Sequence, residues 1–254
     1  MKITLRILKW LALSMLGLLL LVFLLLAFEN GARSVELSEA DKKAIQPQKT
    51  FDEVIESSHY DSLLAIYGKN KTLAPGFELQ CLLALSHYPE LKDARIEFRV
   101  EPAFLPLASR PDPLSLLFPW KKRTYLVIIS NQSKDFFEPI LLKNTPFNDQ
   151  IGIVGHELGH TLFYQDKSAL QLAVIAYKYQ YNERFSTVFE RETDKRAIAH
   201  GLGYQMYDFA YFVRRAFGQS EASIEAETGD MYLSPKEILK EMGKYDFYDK
   251  VVQK

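Results

Sequence analysis

Cysteine is nearly absent from this chain: its 254 residues include one, Cys81. A single thiol makes an intramolecular disulfide impossible and excludes a cysteine-built zinc site. Cys81 lies in Phe77-Glu78-Leu79-Gln80-Cys81-Leu82-Leu83-Ala84-Leu85, an apolar helical run. It therefore reads as a buried structural thiol and not as a nucleophile. An excess of charge is missing too. The formal net charge is -1 with 25% charged residues, which carries no nucleic-acid signature, so no nucleic-acid partner is expected. No internal repeat or low-complexity tract occurs. The length suits one substantial domain plus one apolar anchor.

Long apolar runs are scarce as well, with one exception. Trp10 to Phe28 holds no charged residue, and only Ser14 and Gly17 interrupt it. Nineteen helical residues would extend about 28 Å, close to the thickness of a bilayer's hydrocarbon. Lys2, Arg6 and Lys9 precede the run and Glu29 follows it. The positive-inside rule then predicts a cytoplasmic tail over 1–9, a transmembrane helix over 10–28 acting as a signal-anchor, and a linker over 29–48. The remainder, 49–254, would form an extracytoplasmic domain, periplasmic in a bacterium. A cleaved signal peptide is the alternative, with Leu25-Leu26-Ala27 a marginal match to a cleavage site. Asn70-Lys71-Thr72 and Asn131-Gln132-Ser133 fit the glycosylation sequon, which matters only in a eukaryotic secretory pathway.

What the chain does contain is His156-Glu157-Leu158-Gly159-His160. Residues four apart share one helix face, so both imidazoles can reach one Zn²⁺ at about 2.0–2.1 Å. Glu157 sits about 100° round the helix, within reach of an attacking water but outside the ligand shell. This is the pattern of a zinc metalloprotease. Ile151, Ile153, Val154, Leu158 and Leu162 supply an apolar face, and Thr145-Pro146 reads as the helix start. Gly152, Gly155 and Gly159 are poor helix formers, and three in one helix imply that something packs close. An inert buried helix is the competing reading.

Around this helix the periodicity predicts a helix from Phe51 to Tyr67 behind a capping box at Thr50-Phe51-Asp52-Glu53, and a second over Phe77–His87. His59 and His87 read as surface or packed residues. Ala94 to Glu101 alternates apolar and charged side chains, as in a half-buried strand. Tyr125-Leu126-Val127-Ile128-Ile129-Ser130 reads as a deeper strand and as the candidate edge for an extended substrate. The proline-rich stretch between them reads as a loop. Its end, Phe118-Pro119-Trp120-Lys121-Lys122-Arg123, is either a membrane-docking patch or an ordinary connection. Helices are expected over 168–179, 182–200 and 204–217, with a last one capped by Ser234-Pro235-Lys236-Glu237.

A catalytic zinc needs a third protein ligand and an open position. In metzincins the pattern runs on to a glycine and a third histidine. Here those positions hold Phe163 and Asp166, and without glycine the chain does not readily turn back there. The other placement is Glu190-Arg191-Glu192-Thr193-Asp194, whose Glu190 and Asp194 share a helix face. Glu190 would bind the metal, and Asp194 would accept a hydrogen bond from the far nitrogen of a ligating histidine. A solvated charged helix is the alternative.

His156-Glu157-x-x-His160 followed by Glu190-x-x-x-Asp194 resembles the gluzincins, the group that includes thermolysin. Phe189-Glu190-x-Glu192-Thr193-Asp194-x-x-Ala197 and Gly201-Leu202-Gly203 resemble membrane-linked zinc endopeptidases of the heat-shock protease and CAAX protease type. Their usual wording is E-x-x-A-D, and Thr193 replaces the alanine. The resemblance covers about 145–205. It implies His156, His160 and Glu190 as ligands, Glu157 as general base and acid, and Asp194 behind a histidine ligand. The expected fold is α+β and helix-rich: a single N-terminal transmembrane helix, then a zincin-like domain with a small sheet ahead of the H-E-x-x-H helix. The expected function is membrane-anchored, zinc-dependent hydrolysis of peptide or protein substrates. His200, Tyr164 and Tyr204 are candidate donors to the oxyanion. A silent zinc scaffold, a zinc hydrolase of non-peptide substrates and a zymogen covered by 30–110 are the alternatives.

Overall fold

The computed structural model describes residues 2–28, 45–116, 118, 122–226, 229 and 231–248. Helix α1 (Lys2–Phe28) comes first. Then follow α2 (Glu53–Ser58), α3 (Tyr60–Tyr67), β1 (Lys71–Thr72), α4 (Glu78–Ser86), β2 (Arg95–Glu101), β3 (Leu107–Pro111), α5 (Pro113–Leu116) and β4 (Thr124–Ser130). The metal-motif helix α6 (Phe147–Gln165) is followed by α7 (Ala169–Tyr181), α8 (Glu183–Ala197), α9 (Gly203–Ala216), α10 (Glu221–Ala226) and α11 (Pro235–Met242). The chain is helix-rich α+β, with its sheet ahead of α6.

The membrane expectation is corrected. Among the described residues no helix is long and apolar enough to cross a membrane. The side chains of α1 are described over 6–22. The part of the apolar run inside that window, 10–22, extends about 20 Å, against a hydrocarbon core of about 30 Å. The rest of the run, 23–28, lies outside the described side chains, and so does 29–44 of the expected linker. The transmembrane helix over 10–28, the signal-anchor, the membrane partner and the single-pass extracytoplasmic placement are withdrawn together.

The sheet has the order β1-β2-β4-β3. β1 and β4 both pair parallel to β2, and β3 pairs antiparallel to β4. In β2, Ile96 and Phe98 are buried while Arg95 and Arg99 face solvent, as the alternation requires. β4 is buried on both faces from Tyr125 to Ser130, which suits a central strand. This corrects the reading of Tyr125–Ser130 as the edge. β1 and β3 are the edges; β3 lies within the stretch read as a loop, where proline is tolerated because one side of the strand is unpaired. The Phe118–Arg123 motif falls partly outside the described residues, at 119–121.

One face of the sheet, with Ile96, Phe98, Val127 and Ile129, closes over Cys81, Leu83 and Leu85 of α4 and Ile151, Val154, Leu158 and Leu162 of α6. The thiol is buried, as expected, and burial pushes it up to about 12. A second core joins α8, α9 and α11 through Ala197, Ile198, Met206, Ala210, Ile238 and Met242. The N-terminal helix reading changes in detail. Asp52, not Thr50, caps α2 by accepting from the N–H groups of Val54 and Ile55, and His59 separates α2 from α3.

The glycines of α6 have their explanation in contacts. A Cβ on Gly152 would stand 2.6 Å from the carbonyl oxygen of Gln205 on α9, and one on Gly159 would stand 3.1 Å from Cγ2 of Thr193 on α8. At Gly152 the backbone of α9 stands closer than a larger residue permits, whereas at Gly159 a side chain of α8 would have to give by a few tenths of an ångström. Between α8 and α9 the chain makes a π-type turn over Ile198–Leu202, in which Gly201 has φ of 89°. That left-handed conformation suits glycine, and it redirects the chain so that both helices lie against α6.

Candidate metal centre

His156 and His160 stand one turn apart on α6, with ring centroids 4.7 Å apart and planes at 84°. Glu190 reaches them from α8. Its Oε2 lies 3.0 Å from Nε2 of His156 and 3.2 Å from Nε2 of His160. All three side chains are buried. Three donors at about 2.05 Å from a tetrahedral ion stand about 3.3 Å from one another, so these separations suit a common ion. This group can hold a metal ion, and among the described residues it is the one cluster of histidine, cysteine and carboxylate groups that can. Asp166, the other third-ligand candidate, is the C-cap of α6 and takes no part in the cluster.

Each of the three side chains is held from behind. Nδ1 of His156 lies 2.8 Å from Oδ1 of Asp194, and the Leu233 backbone N–H donates to Oδ2 of the same carboxylate at 2.8 Å. Nδ1 of His160 lies 3.2 Å from the Thr193 hydroxyl. That hydroxyl donates to the Phe189 carbonyl at 2.9 Å and accepts from Arg196 at 3.0 Å. Its proton is therefore committed, and Nδ1 of His160 is the donor toward Thr193. With a metal bound, both histidines would keep the proton on Nδ1 and present the Nε2 lone pair to the ion. The Tyr179 hydroxyl donates to Oε1 of Glu190 at 2.6 Å, leaving Oε2 for the ion. Burial acts against the charged form of His156, yet its bonds to Asp194 and Glu190 outweigh this and hold it well above the ordinary imidazole range. Burial likewise opposes ionisation of Glu190, but the two imidazoles hold it far below the usual carboxylate range.

Glu157 is buried, and its Oε2 has no hydrogen-bond partner. Burial, helped by the negative charge of Glu190, raises its carboxyl above the usual range, although the two histidines and a hydrogen bond from the Ser109 backbone act the other way. A partnerless carboxylate oxygen beside the ligand cluster is otherwise unfavourable. It fits a group that takes up a proton from something bound there.

The cluster opens onto a cavity of about 770 Å³ lined by His156, Glu157, His160 and Glu190. Its strand-side wall includes Leu107 and Phe137, and its helix-side wall includes Leu172, Phe209 and Val213. Strand β3 runs along the rim, and Ser109 meets Thr161 of α6 through their hydroxyls at 2.8 Å. The Ser130 N–H donates to the Pro106 carbonyl and the Asp112 N–H to the Thr124 carbonyl. Alternation then points the backbone groups of residues 107, 109 and 111 away from β4.

Of the expected oxyanion donors, only Tyr164 lines this cavity, with its ring stacked 6.2 Å from His160. His200 does not. It is fully buried, with Nδ1 on the Arg196 carbonyl and Nε2 on Glu90. Tyr204 packs against Tyr248 in the second core. Two tyrosines absent from the sequence reading do line the cavity, Tyr179 and Tyr232, the latter with its ring 5.9 Å from that of His156. Neither belongs to a motif. Each reaches the site only because α7 and the stretch before α11 pack beside α8. Thr193 was visible as a departure from E-x-x-A-D, but its role was not. Comparison with protein-family models, with curated proteins and with solved structures finds no match to this chain.

Proposed function

We propose that this protein is a zinc-dependent peptidase of the gluzincin kind, with His156, His160 and Glu190 as ligands. The observation that carries this reading is the partnerless Oε2 of Glu157 beside a buried histidine–histidine–carboxylate group. A scaffold would need the ligands, but it would gain nothing from a buried carboxylate left without a partner. Two imidazoles and one carboxylate in an H-E-x-x-H frame suit zinc, which when bound would acidify water and polarise the scissile carbonyl.

The chain's own residues do the rest. An extended peptide would pair with the outward backbone groups of Leu107 and with the Ser109 carbonyl on β3, the Ser109 N–H being engaged by Glu157. Glu157 would take the proton from the attacking water as its oxygen adds to the carbonyl carbon. The same carboxyl would pass that proton to the amine nitrogen as the C–N bond breaks. Asp194, Thr193 and Tyr179 would hold the three ligands in register. Tyr164 and Tyr232, which line the cavity, would be the candidate donors to the oxyanion.

The test is metal content by mass spectrometry together with hydrolysis of a peptide mixture, on the wild type, Glu190→Ala and Glu157→Gln. One zinc per wild-type chain, lost in Glu190→Ala, with cleavage lost in both variants, is the expected result. Zinc bound without cleavage of any peptide would favour a scaffold or a hydrolase of other substrates. Zinc retained in Glu190→Ala would remove the ligand assignment.

A further inference from the structure

Arg191 follows the ligand Glu190 on α8, and its guanidinium grips a different part of the chain. Nη2 donates to Oε1 of Glu237 at 2.6 Å and Nη1 to Oε2 at 3.3 Å. The same Nη1 donates to the carbonyls of Gly229 at 3.1 Å and Tyr232 at 3.3 Å. Glu237 completes the grip. Its Oε2 accepts from the N–H groups of Gly229 and Ser234, each at 2.9 Å, and from the Ser234 hydroxyl at 3.1 Å. Capping α11 requires only the reciprocal bonds between Ser234 and Glu237. The bonds to Arg191, Gly229 and Tyr232 are additional, and they tie the approach to α11 onto the metal-ligand helix.

The residue before Ser234 shows what this tie accomplishes. The Leu233 N–H sits 2.8 Å from Oδ2 of Asp194, whose other oxygen holds His156. Asp194 is 2% exposed, so if Leu233 withdrew, Oδ2 would be left in a buried place without its donor. The carboxylate would then reorient at the expense of His156. The ion pair lies partly shielded, with side-chain exposures of 24% and 28%, and its fork geometry restricts where the stretch can sit.

We propose that Arg191 and Glu237 are positioning residues of the metal centre: by fixing Leu233 against Asp194 they orient His156 for the ion. The assignment rests on the metal-binding reading above. It concerns affinity for the ion, so its test needs no substrate.

The measurement is zinc affinity of the full chain, by competition with a chromophoric chelator, beside urea unfolding of the metal-free protein. Glu237→Gln should weaken zinc about ten-fold, and Asp194→Asn about ten- to a hundred-fold. Arg191→Lys keeps the charge but loses the fork. It should weaken zinc in the same direction as Glu237→Gln, and it stands in if that variant does not fold. Ile96→Val is the structural control, because it loosens the core under the sheet, which contains neither Leu233 nor any partner of the tie. It should lower stability and leave zinc affinity unchanged. Wild-type affinity in both Glu237→Gln and Arg191→Lys would overturn the proposal. So would a loss in Ile96→Val as large as theirs, since the effect would then be stability alone. A wild type that binds no zinc would remove the metal reading itself, and this inference with it.

Discussion

On the proposed reading Glu157 would have a different task from His156 and His160 on α6, and substitution should separate the two. Glu157→Gln keeps shape and leaves the three ligands intact, so metal content should stay at the wild-type level. Loss of a general base costs about 10²- to 10⁴-fold in rate, and peptide hydrolysis should fall by that much. Residual cleavage at the wild-type rate would assign the proton transfer elsewhere. A second residue-scale prediction concerns Asp149, in the first turn of the same helix. Burial, then the nearby negative charge of Asp208, raises its carboxyl to about 7. An unfolded aspartate titrates near 3.9, so between about pH 4 and 7 the folded chain keeps a proton that the unfolded chain has released. The stability tied to that proton is complete below about pH 4 and is lost as the pH climbs through 7. Asp149→Asn should therefore flatten the fall in urea-unfolding stability between pH 5 and 8. An unchanged slope would show that this carboxylate ionises normally in the folded protein. H-E-x-x-H was legible at this scale because one helix holds all three groups at fixed spacing. Thr193 and Tyr179 were not, because their partners His160 and Glu190 lie across helix–helix contacts.

The elements tell a similar story with a different cause. Helix α6 was readable from its apolar face despite three glycines, and the glycines themselves predicted close packing. Gly152→Val tests that packing where the neighbour is backbone and cannot swing aside. The added atoms would meet the carbonyl of Gln205, since even a Cβ would lie 2.6 Å from it. Overpacking of this kind costs about 1–3 kcal/mol. A fall of that size in urea-unfolding free energy is expected, and no change would mean that α6 and α9 are free to separate. Strand order was less legible. Residues 124–130 look like any buried strand, and their run of apolar residues on both faces marks a central position. Residues 107–111 carry no alternation and end in a proline, so the strand that borders the cavity read as a loop. The boundary at His59 was likewise invisible, since a short helix and its neighbour differ there by one turn of hydrogen bonding.

For the molecule as a whole, the ion would join two elements distant in sequence, α6 and α8, with α7 and the approach to α11 attached through Tyr179 and Asp194. Anything that binds the folded but not the unfolded chain adds stability, about 2.7 kcal/mol when present at a hundred times its Kd. Removing metal with a chelator should therefore lower the melting temperature of the wild type and restore it on adding zinc back. The same treatment should leave Glu190→Ala unmoved. A wild type indifferent to chelation would show that the cluster contributes no metal-linked stability.

Local chemistry was settled by the sequence alone: the histidine pair and its carboxylate, the capping box at Ser234, the buried thiol, the alternating strand 95–101. Each depends on neighbours a few residues apart, where helix and strand geometry convert spacing directly into position. The tertiary structure decided what spacing cannot express. It chose Glu190 over Asp166, made 107–111 the strand beside the cavity, and removed His200 and Tyr204 from the site while bringing in Tyr179 and Tyr232. Those outcomes depend on which helix faces pack together, and packing compares the whole set of side chains at once.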